Sequence, residues 1–359
     1  MSRSGRTQPT PPAPTSADVA PGAETPRVTI ADIAREAGVS VPTVSKVLNG
    51  HAQVAQGTRD RVEALLEKHN YLRRRSRPTR SVELIDLVIN EIDSPWSVEV
   101  IQGVEREAAR HGVGVVITAV HGRPADILRW LDNLTRRGSD GVILAVTALP
   151  AGQRRKIQDL RVPLVVVDPV GNPDPAIPSV GATNWPGGLA ATQHLLALGH
   201  RRIGIITGPT DIQCARARLD GYRAALEGGG IAVDPDLIRR GDFHHETGFS
   251  GMRELLALDR PPTAVFACSD LQALGAYEAI RQAGLHVGTD VSVVGFDDVA
   301  SAAWASPPLT TVRQPLGEMA AMGARIVLKG VDAVLPGGTQ RLELATDLVI
   351  RESTGPARG

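Results

Sequence analysis

Residues 28–50 read VTIADIAREAGVSVPTVSKVLNG, and this stretch decides the first part of the fold. Thr29-Ile-Ala-Asp32 forms a capping box with Asp32 in the place of the more usual Glu, so a helix starts at Ile30. Ile30, Ile33, Ala34 and Ala37 follow at helical spacing, and Gly38 permits the positive φ of a helix stop and a sharp turn. Ser40 then caps a second helix, which tolerates Pro42 in its first turn, turns Val44, Val47 and Leu48 inward and ends at Asn49-Gly50. Only Gly38-Val39-Ser40 separates the two helices; Ala34 is small enough to let them approach, and Val39 fills the space beneath the turn. A third helix from about Arg59 to Lys68 buries Val62, Leu65 and Leu66. Capping, turn and packing residues agree on an all-α helix-turn-helix headpiece. The competing reading is a plain three-helix cap on a larger domain.

Upstream, residues 1–26 are Pro, Ser, Thr, Ala and Gly with almost no large apolar side chain, a composition expected of a disordered tail. The tail has no apolar stretch of the kind a signal peptide needs, and no run approaches the roughly 20 apolar residues of a bilayer span. Cys214 and Cys268 make neither a metal spacing nor a disulfide framework, so a cytoplasmic chain with reduced thiols is expected. Net charge is zero, but between Arg27 and Arg80 eleven Lys/Arg face five Asp/Glu. A basic module on an acidic body is the electrostatic pattern of a modular DNA-binding protein, although a basic solvated face without a partner would look the same.

Downstream of Val82 short apolar strands alternate with amphipathic helices. The strands are expected at Leu84–Ile89, Gly114–Thr118, Val142–Val146, Leu164–Asp168, Ile203–Thr207, Ala264–Ser269 and Val291–Phe296, with helices such as Val98–Arg110, Leu189–Leu198, Arg218–Glu227 and Leu271–Gln282 between them. This alternation predicts parallel sheets flanked by helices, and its length predicts an α/β body of two parallel-sheet subdomains with the break near Gly181–Trp185. The expected organisation is a tail (1–26), a DNA-binding domain (27–72), an arginine-rich hinge (73–82) and an effector and dimerisation domain (83–352). Within the last, the N-subdomain takes 83–182 plus 313–340 and the C-subdomain 183–312 plus 341–352.

Val28–Gly50, followed by TRDRVEALLEKHNYL at Thr58–Leu72, closely resembles the DNA-binding headpiece of the LacI/GalR repressor family. Further markers of that family follow in order: LGHRRIGIITG (198–208), ARARLDGYRAAL (215–226), PTAVFACSDLQALGA (262–276), VVGFDD (293–298) and PPLTTVRQP (307–315). The resemblance runs from about Val28 to Glu352. It implies a homodimer or a dimer of dimers on palindromic double-stranded operator DNA. It also implies a periplasmic-binding-protein-like body whose cleft takes a small effector.

In a helix-turn-helix the second helix enters the major groove and its N-terminal residues touch base edges. By similarity to the family, Val41 and Pro42 match operator-discriminating positions and Lys46 matches a common DNA contact. Val41 and Pro42 cannot hydrogen-bond through their side chains and would read thymine methyls and shape. Lys46 reaches either guanine or phosphate. Thr29, Ser40, Thr43, Ser45 and Asn49 suit phosphate contacts or act as caps and solvated polar positions. Where most family members carry a hinge helix with a groove-wedging leucine, this chain reads Arg73-Arg74-Arg75-Ser76-Arg77-Pro78-Thr79-Arg80. Arg80 stands at the leucine's place and Pro78 would interrupt a helix, so Arg73, Arg74, Arg75, Arg77 and Arg80 predict phosphate and minor-groove attraction without a leucine-driven kink.

In open α/β sheets, ligands bind beyond the C-terminal ends of strands. The residues expected there are Ser94, Pro95 and Trp96, then Asp168, Asn184 and Trp185, Arg216, Ser269 and Asp270, Asp297 and Asp298, and Trp304. Family resemblance singles out Arg216 and Asp297 as ligand candidates and adds Phe243. Three of the four tryptophans fall at these strand mouths, where indoles would stack on sugar C–H faces while carboxylates and a guanidinium take the hydroxyls. Three indoles could line a long groove; Trp130, in a helical segment, is more simply core, and Asp270 and Asp298 also suit helix caps. The expected effector is a sugar or oligosaccharide that closes the cleft, changes the spacing of two headpieces and weakens operator binding. The alternative is a purine- or nucleoside-responsive regulator, since bases also suit aromatic stacking and aspartates.

Other classes find little support. The sequence has no GxSxG elbow, no P-loop and no GxGxxG after the first strand, so no enzyme signature stands out. His244-His245 lie in an expected loop with no third spaced ligand, and neither a metal nor a cofactor is expected.

Overall fold

The computed structural model describes residues 29–48, 54–69, 82–145, 156, 162–169, 171, 175–335 and 339–358, and the chain divides into two compact units at Thr79/Arg80. In the first unit, α1 (Ile30–Ala37), α2 (Val41–Leu48) and α3 (Gln56–Lys68) enclose a core of Ile33, Ala34, Ala37, Val44, Val47 and Val62. The capping box is present: the Thr29 hydroxyl accepts from the Asp32 amide at 3.3 Å, and the Thr29 amide donates to Asp32 Oδ2 at 2.9 Å. These bonds hold the Asp32 carboxyl below its usual range. Gly38 closes α1 at φ +67°, a conformation a Cβ would strain, and its N–H reaches the carbonyls of Ala34 and Arg35. Glu36 then ties α1 to the far end of α3 through Lys68 and His69.

The second unit contains two six-stranded sheets. The first is built from β1 (Leu84–Ile89), β2 (Gly114–Ala119), β3 (Gly141–Ala145), β4 (Leu164–Val167), β5 (Ser179–Ala182) and a late strand β11 (Arg341–Leu344), in the order β11-β5-β4-β3-β1-β2. Its described pairings are all parallel. The helices α4 (Pro95–Ala109), α5 (Pro124–Arg137) and a late α11 (Leu316–Lys329) cover its faces, α11 and α4 packing over Ile85, Leu87, Ile143 and Val165. On the opposite face Trp130 fills the core, and its indole N–H donates to the fully buried Asp86 at 2.9 Å.

The second sheet has β6 (Ile203–Thr207), β7 (Ile238–Arg240), β8 (Ala264–Ala267), β9 (Ser292–Asp297), β10 (Thr310–Arg313) and β12 (Asp347–Val349), ordered β12-β10-β9-β8-β6-β7. Among the described residues only the β10–β12 pair of this sheet is antiparallel. Its helices are α6 (Asn184–Ala197), α7 (Gln213–Gly228), α8 (His245–Leu256), α9 (Asp270–Gln282) and the short α10 (Ala300–Trp304). A last short helix, α12 (Val331–Val334), follows α11.

Three segments pass between the sheets, after β5, after β10 and after β11. Two of them are bonded together: the Thr346 amide donates to Thr183 Oγ1 at 2.9 Å and the Thr346 hydroxyl to the Thr183 carbonyl at 3.0 Å. Several expectations are corrected here. Arg341–Leu344, expected in the C-subdomain, pairs in parallel with β5 in the first sheet, and Arg313, expected in the N-subdomain, ends β10 in the second. Both strands are short and polar, and β11 and β12 lie at sheet edges, so no long apolar run marks them. His245 opens α8 with His244 as its N-cap, where a loop was expected.

Candidate ligand cleft and DNA-reading helix

On the first unit, inward Val44 and Val47 leave Val41, Pro42 and Lys46 exposed on the outer face of α2. Ser40 Oγ lies 2.9 Å from Thr43 Oγ1 and accepts from the Thr43 amide at 3.4 Å, so both serve the cap that starts α2. Thr29 is exposed and engaged in the α1 cap, and Ser45 is half-buried. The α2 face available to DNA is thus apolar at its N-terminus and cationic one turn later. Asn49 and the run Arg73, Arg74, Arg75, Arg77 and Arg80 lie outside the described residues.

The second unit carries a cleft of about 350 Å³ between its two sheets, at the C-terminal ends of β1, β4, β6, β8 and β9. It gathers Ser94, Trp96, Asp168, Phe243, Ser269 and Asp297 from the sequence-predicted set. Ser94 caps α4, accepting from the Ser97 amide, and Trp96 packs its indole on the first sheet's core. Ser269 caps α9 and donates to the Phe243 carbonyl at 2.7 Å, which holds that aromatic over the cleft.

The guanidinium in the cleft is Arg218. The expected Arg216 is exposed on the outer side of α7, where Nη1 donates to the Thr210 carbonyl at 3.4 Å. The helix period explains the difference: Ala215, Arg218, Tyr222 and Ala225 are buried at i, i+3, i+7 and i+10, and Arg216 stands off that stripe. Arg218 is 3% exposed; its Nε donates to Asn184 Oδ1 at 2.8 Å and Nη1 donates to the Cys268 carbonyl. The guanidinium sits 3.7 Å from the Phe296 ring centroid and 5.5 Å from that of Phe243, while Nη1 is 3.7 Å from Asp297 Oδ1. Its backbone is fixed by a close helix crossing. A Cβ on Gly188 would stand 2.3 Å from the Arg218 carbonyl oxygen, and one on Gly221 would stand 2.4 Å from that of Trp185.

Burial pushes Asp297 up to about 6, against the opposing pull of Arg218 and the Gln314 amide, which donates to Oδ1 at 2.6 Å. Asp168 is also raised by burial, although Arg218 and the Trp96 indole favour its charged form. Cys214, which lines the cleft, and Cys268, buried beside it, are pushed up to about 12 by burial and are held as neutral thiols. Asp168 (φ +51°), Phe243 (φ +72°), Asp297 (φ +118°) and Asp298 (φ +58°) adopt the left-handed region. Each is held by the packing around it at a cost of about 1–3 kcal/mol, and such residues concentrate where groups must be aimed.

Like Arg216, the expected members Asp270, Trp304 and Trp185 lie outside the cleft lining. Asp270 is fully buried beneath the cleft floor, with Oδ2 accepting from the Val299 amide at 2.9 Å and Oδ1 accepting from the Thr311 hydroxyl at 2.5 Å. Trp304, 79% exposed on α10, lines neither the cleft nor any neighbouring cavity described. Trp185 lines a separate cavity of about 200 Å³. Gln314, Arg218 and Cys214 were missed from the sequence; the helical stripe of α7 is the signal that points to Arg218. Asp298 turns away from the cleft to bind Arg313 and Arg351.

A helix-turn-helix unit in one chain with a two-sheet body, whose cleft sets a buried guanidinium between carboxylates and aromatic faces, defines a ligand-responsive DNA-binding regulator. Residues 29–74 match the family described as bacterial regulatory proteins, lacI family, and residues 192–354 match the periplasmic binding protein-like domain. The chain is 35% identical over 329 residues to the HTH-type transcriptional repressor CytR of Escherichia coli K12, covering 91% of this chain and 96% of that protein. Among solved structures, the transcriptional regulator CelR in complex with cellobiose superposes with a TM-score of 0.69 at 35% identity, covering 91% of this chain and all of that one. The lac repressor dimer bound to operator and the anti-inducer ONPF gives 0.66 at 29% identity, covering 91% and 99%. The chain belongs to the LacI family of DNA-binding transcriptional regulators.

Proposed function

We propose that this chain is a cytoplasmic repressor that binds a palindromic operator as a homodimer and releases it when a small carbohydrate fills the cleft. The observation that carries the carbohydrate reading is Arg218 between Asp168 and Asp297, with Trp96 and Phe243 at the same cleft. Planar donors and carboxylate acceptors suit vicinal hydroxyls, and aromatic faces suit sugar C–H faces. CelR, a relative of similar fold, was solved with cellobiose, and the lac repressor was solved as a dimer on operator, which supports both halves of the proposal.

The ligand acts by preferring one cleft geometry over another. Closure of the cleft changes the spacing of two headpieces and so lowers operator affinity; the chain works by binding, not by catalysis. Apolar Val41 and Pro42 read thymine methyls and groove shape, while Lys46 and the run Arg73–Arg80 supply cationic contacts. Calorimetry of the full chain against mono-, di- and oligosaccharides and purine nucleosides tests the effector; heat with nucleosides alone establishes the rival reading. Operator binding measured with and without the sugar tests its direction, and a sugar that leaves affinity unchanged or raises it refutes release. An operator affinity that barely changes between low and moderate salt excludes the arginine run from the DNA contact.

A further inference from the structure

The indole of Trp185 is 44% exposed at the start of α6, and it lines a cavity of about 200 Å³ rather than the main cleft. Asp168 and Cys214 line both spaces, so the small cavity adjoins the cleft at these two residues, beside the crossover segments. Pro169 and Gly181 lie beneath it, and Arg341 and Glu343 of the edge strand β11 stand at its rim. We propose that this cavity is a second carbohydrate subsite, in which a ring linked to the sugar in the main cleft stacks on Trp185. The proposal rests on the carbohydrate reading of the cleft and adds to it the length of the ligand: two rings at least.

Three features carry it. The first is adjacency, since Asp168 and Cys214 line both spaces and leave the two within reach of one linked sugar. The second is the indole, a broad apolar face left half-open beside a cavity, in a chain where aromatic residues are 3% of the total. The third is rigidity. Gly221 lets α7 pass within van der Waals contact of the Trp185 carbonyl, so the backbone carrying the indole is fixed before any ligand arrives. Polar partners for hydroxyls stand at the rim in Glu343 and Arg341, on a strand bonded in register to β5.

The test is calorimetry of the full chain with cello-, malto- and xylo-sugars of one, two and three rings, in wild type, Trp185→Ala and Trp185→Phe. In the series that binds, affinity rises about tenfold from one ring to two. Trp185→Ala lowers two-ring affinity about 3- to 10-fold and leaves one-ring affinity within about twofold, and Trp185→Phe restores most of the loss. Tryptophan emission gives an independent readout: two-ring sugars change the fluorescence that Trp185→Phe removes, and one-ring sugars do not. A Trp185→Ala loss equal for one and two rings, or no loss, overturns the subsite while leaving the main cleft a sugar site. If no sugar of any length binds, the carbohydrate reading itself fails and the subsite falls with it.

Discussion

Replacing Arg218 by Met separates binding from folding in a way the structure makes quantitative. The side chain is buried and gives hydrogen bonds to Asn184 and the Cys268 carbonyl, so its loss leaves two acceptors without their donor. Removing one partner of a buried ion pair ordinarily costs about 3–5 kcal/mol, because a charge is left unpaired. Here the penalty is capped. Asp297 already sits at about 6, so at neutral pH taking up a proton costs it only about 1.4 kcal/mol per pH unit. Without Arg218 both Asp297 and Asp168 rise further and become neutral, and the net loss of stability is expected at about 1–3 kcal/mol. Effector binding has no such escape. Two charge-assisted hydrogen bonds at about 1.5–3 kcal/mol each sum to about 3–6 kcal/mol, a loss of roughly 100- to 10,000-fold in affinity. Calorimetry with the best sugar and thermal unfolding at pH 7 measure the two quantities, and operator binding should persist unchanged by sugar. A folded Arg218→Met chain whose sugar affinity stays within about threefold of wild type would refute the placement of this guanidinium at the ligand.

Asp297 also makes binding depend on pH. Its value in the folded chain, about 6, lies above the ordinary 3.8, so the folded state keeps this proton longer than the unfolded one; the group's contribution to stability falls as pH rises from about 4 to 6 and is level above. Sugar affinity should rise around pH 6, where the folded carboxylate ionises and accepts hydroxyls, and Asp297→Asn should flatten the calorimetric pH profile. Asp270→Ala leaves the Val299 amide and the Thr311 hydroxyl buried without an acceptor, and a loss of about 2–4 kcal/mol is expected in thermal unfolding, together with weaker sugar binding because the Val299 anchor holds the loop that follows Asp297 at the end of β9. An Asp270→Ala chain as stable as wild type would show that those bonds do not hold the loop. Thr29→Ala removes the α1 cap at a cost of about 1 kcal/mol, read as roughly fivefold faster hydrogen exchange at the first amides of α1, with the second unit unaffected.

The headpiece was legible because its information is local. A cap, a glycine turn and a three-to-four residue apolar stripe lie within 23 residues, and Thr29, Gly38, Ile33 and Val44 take the places the sequence assigns them. The central strands were legible for a related reason: β1, β6 and β9 are buried on both faces and read as continuous apolar runs. The edge strands β11 and β12 were not, since a short strand with one face in water leaves no such run.

The cleft was legible only in part. Strand ends pointed to Asp168, Ser269 and Asp297, but the choice of Arg216 over Arg218 and the inclusion of Trp304 and Asp270 failed on side-chain direction. Two arginines one turn-fraction apart on a helix point to opposite environments, and adjacent residues at a strand end alternate between cleft and core. The sequence by itself determined the helix-turn-helix, the pair of parallel sheets and the chemistry available at their ends, because capping, periodicity and strand composition act between near neighbours. Only the tertiary structure decided which groups meet: Arg218 reaches Asp297 across 79 residues, and Gln314 arrives from the crossover segment after β10, through close packing of helices and sheets that no local pattern records.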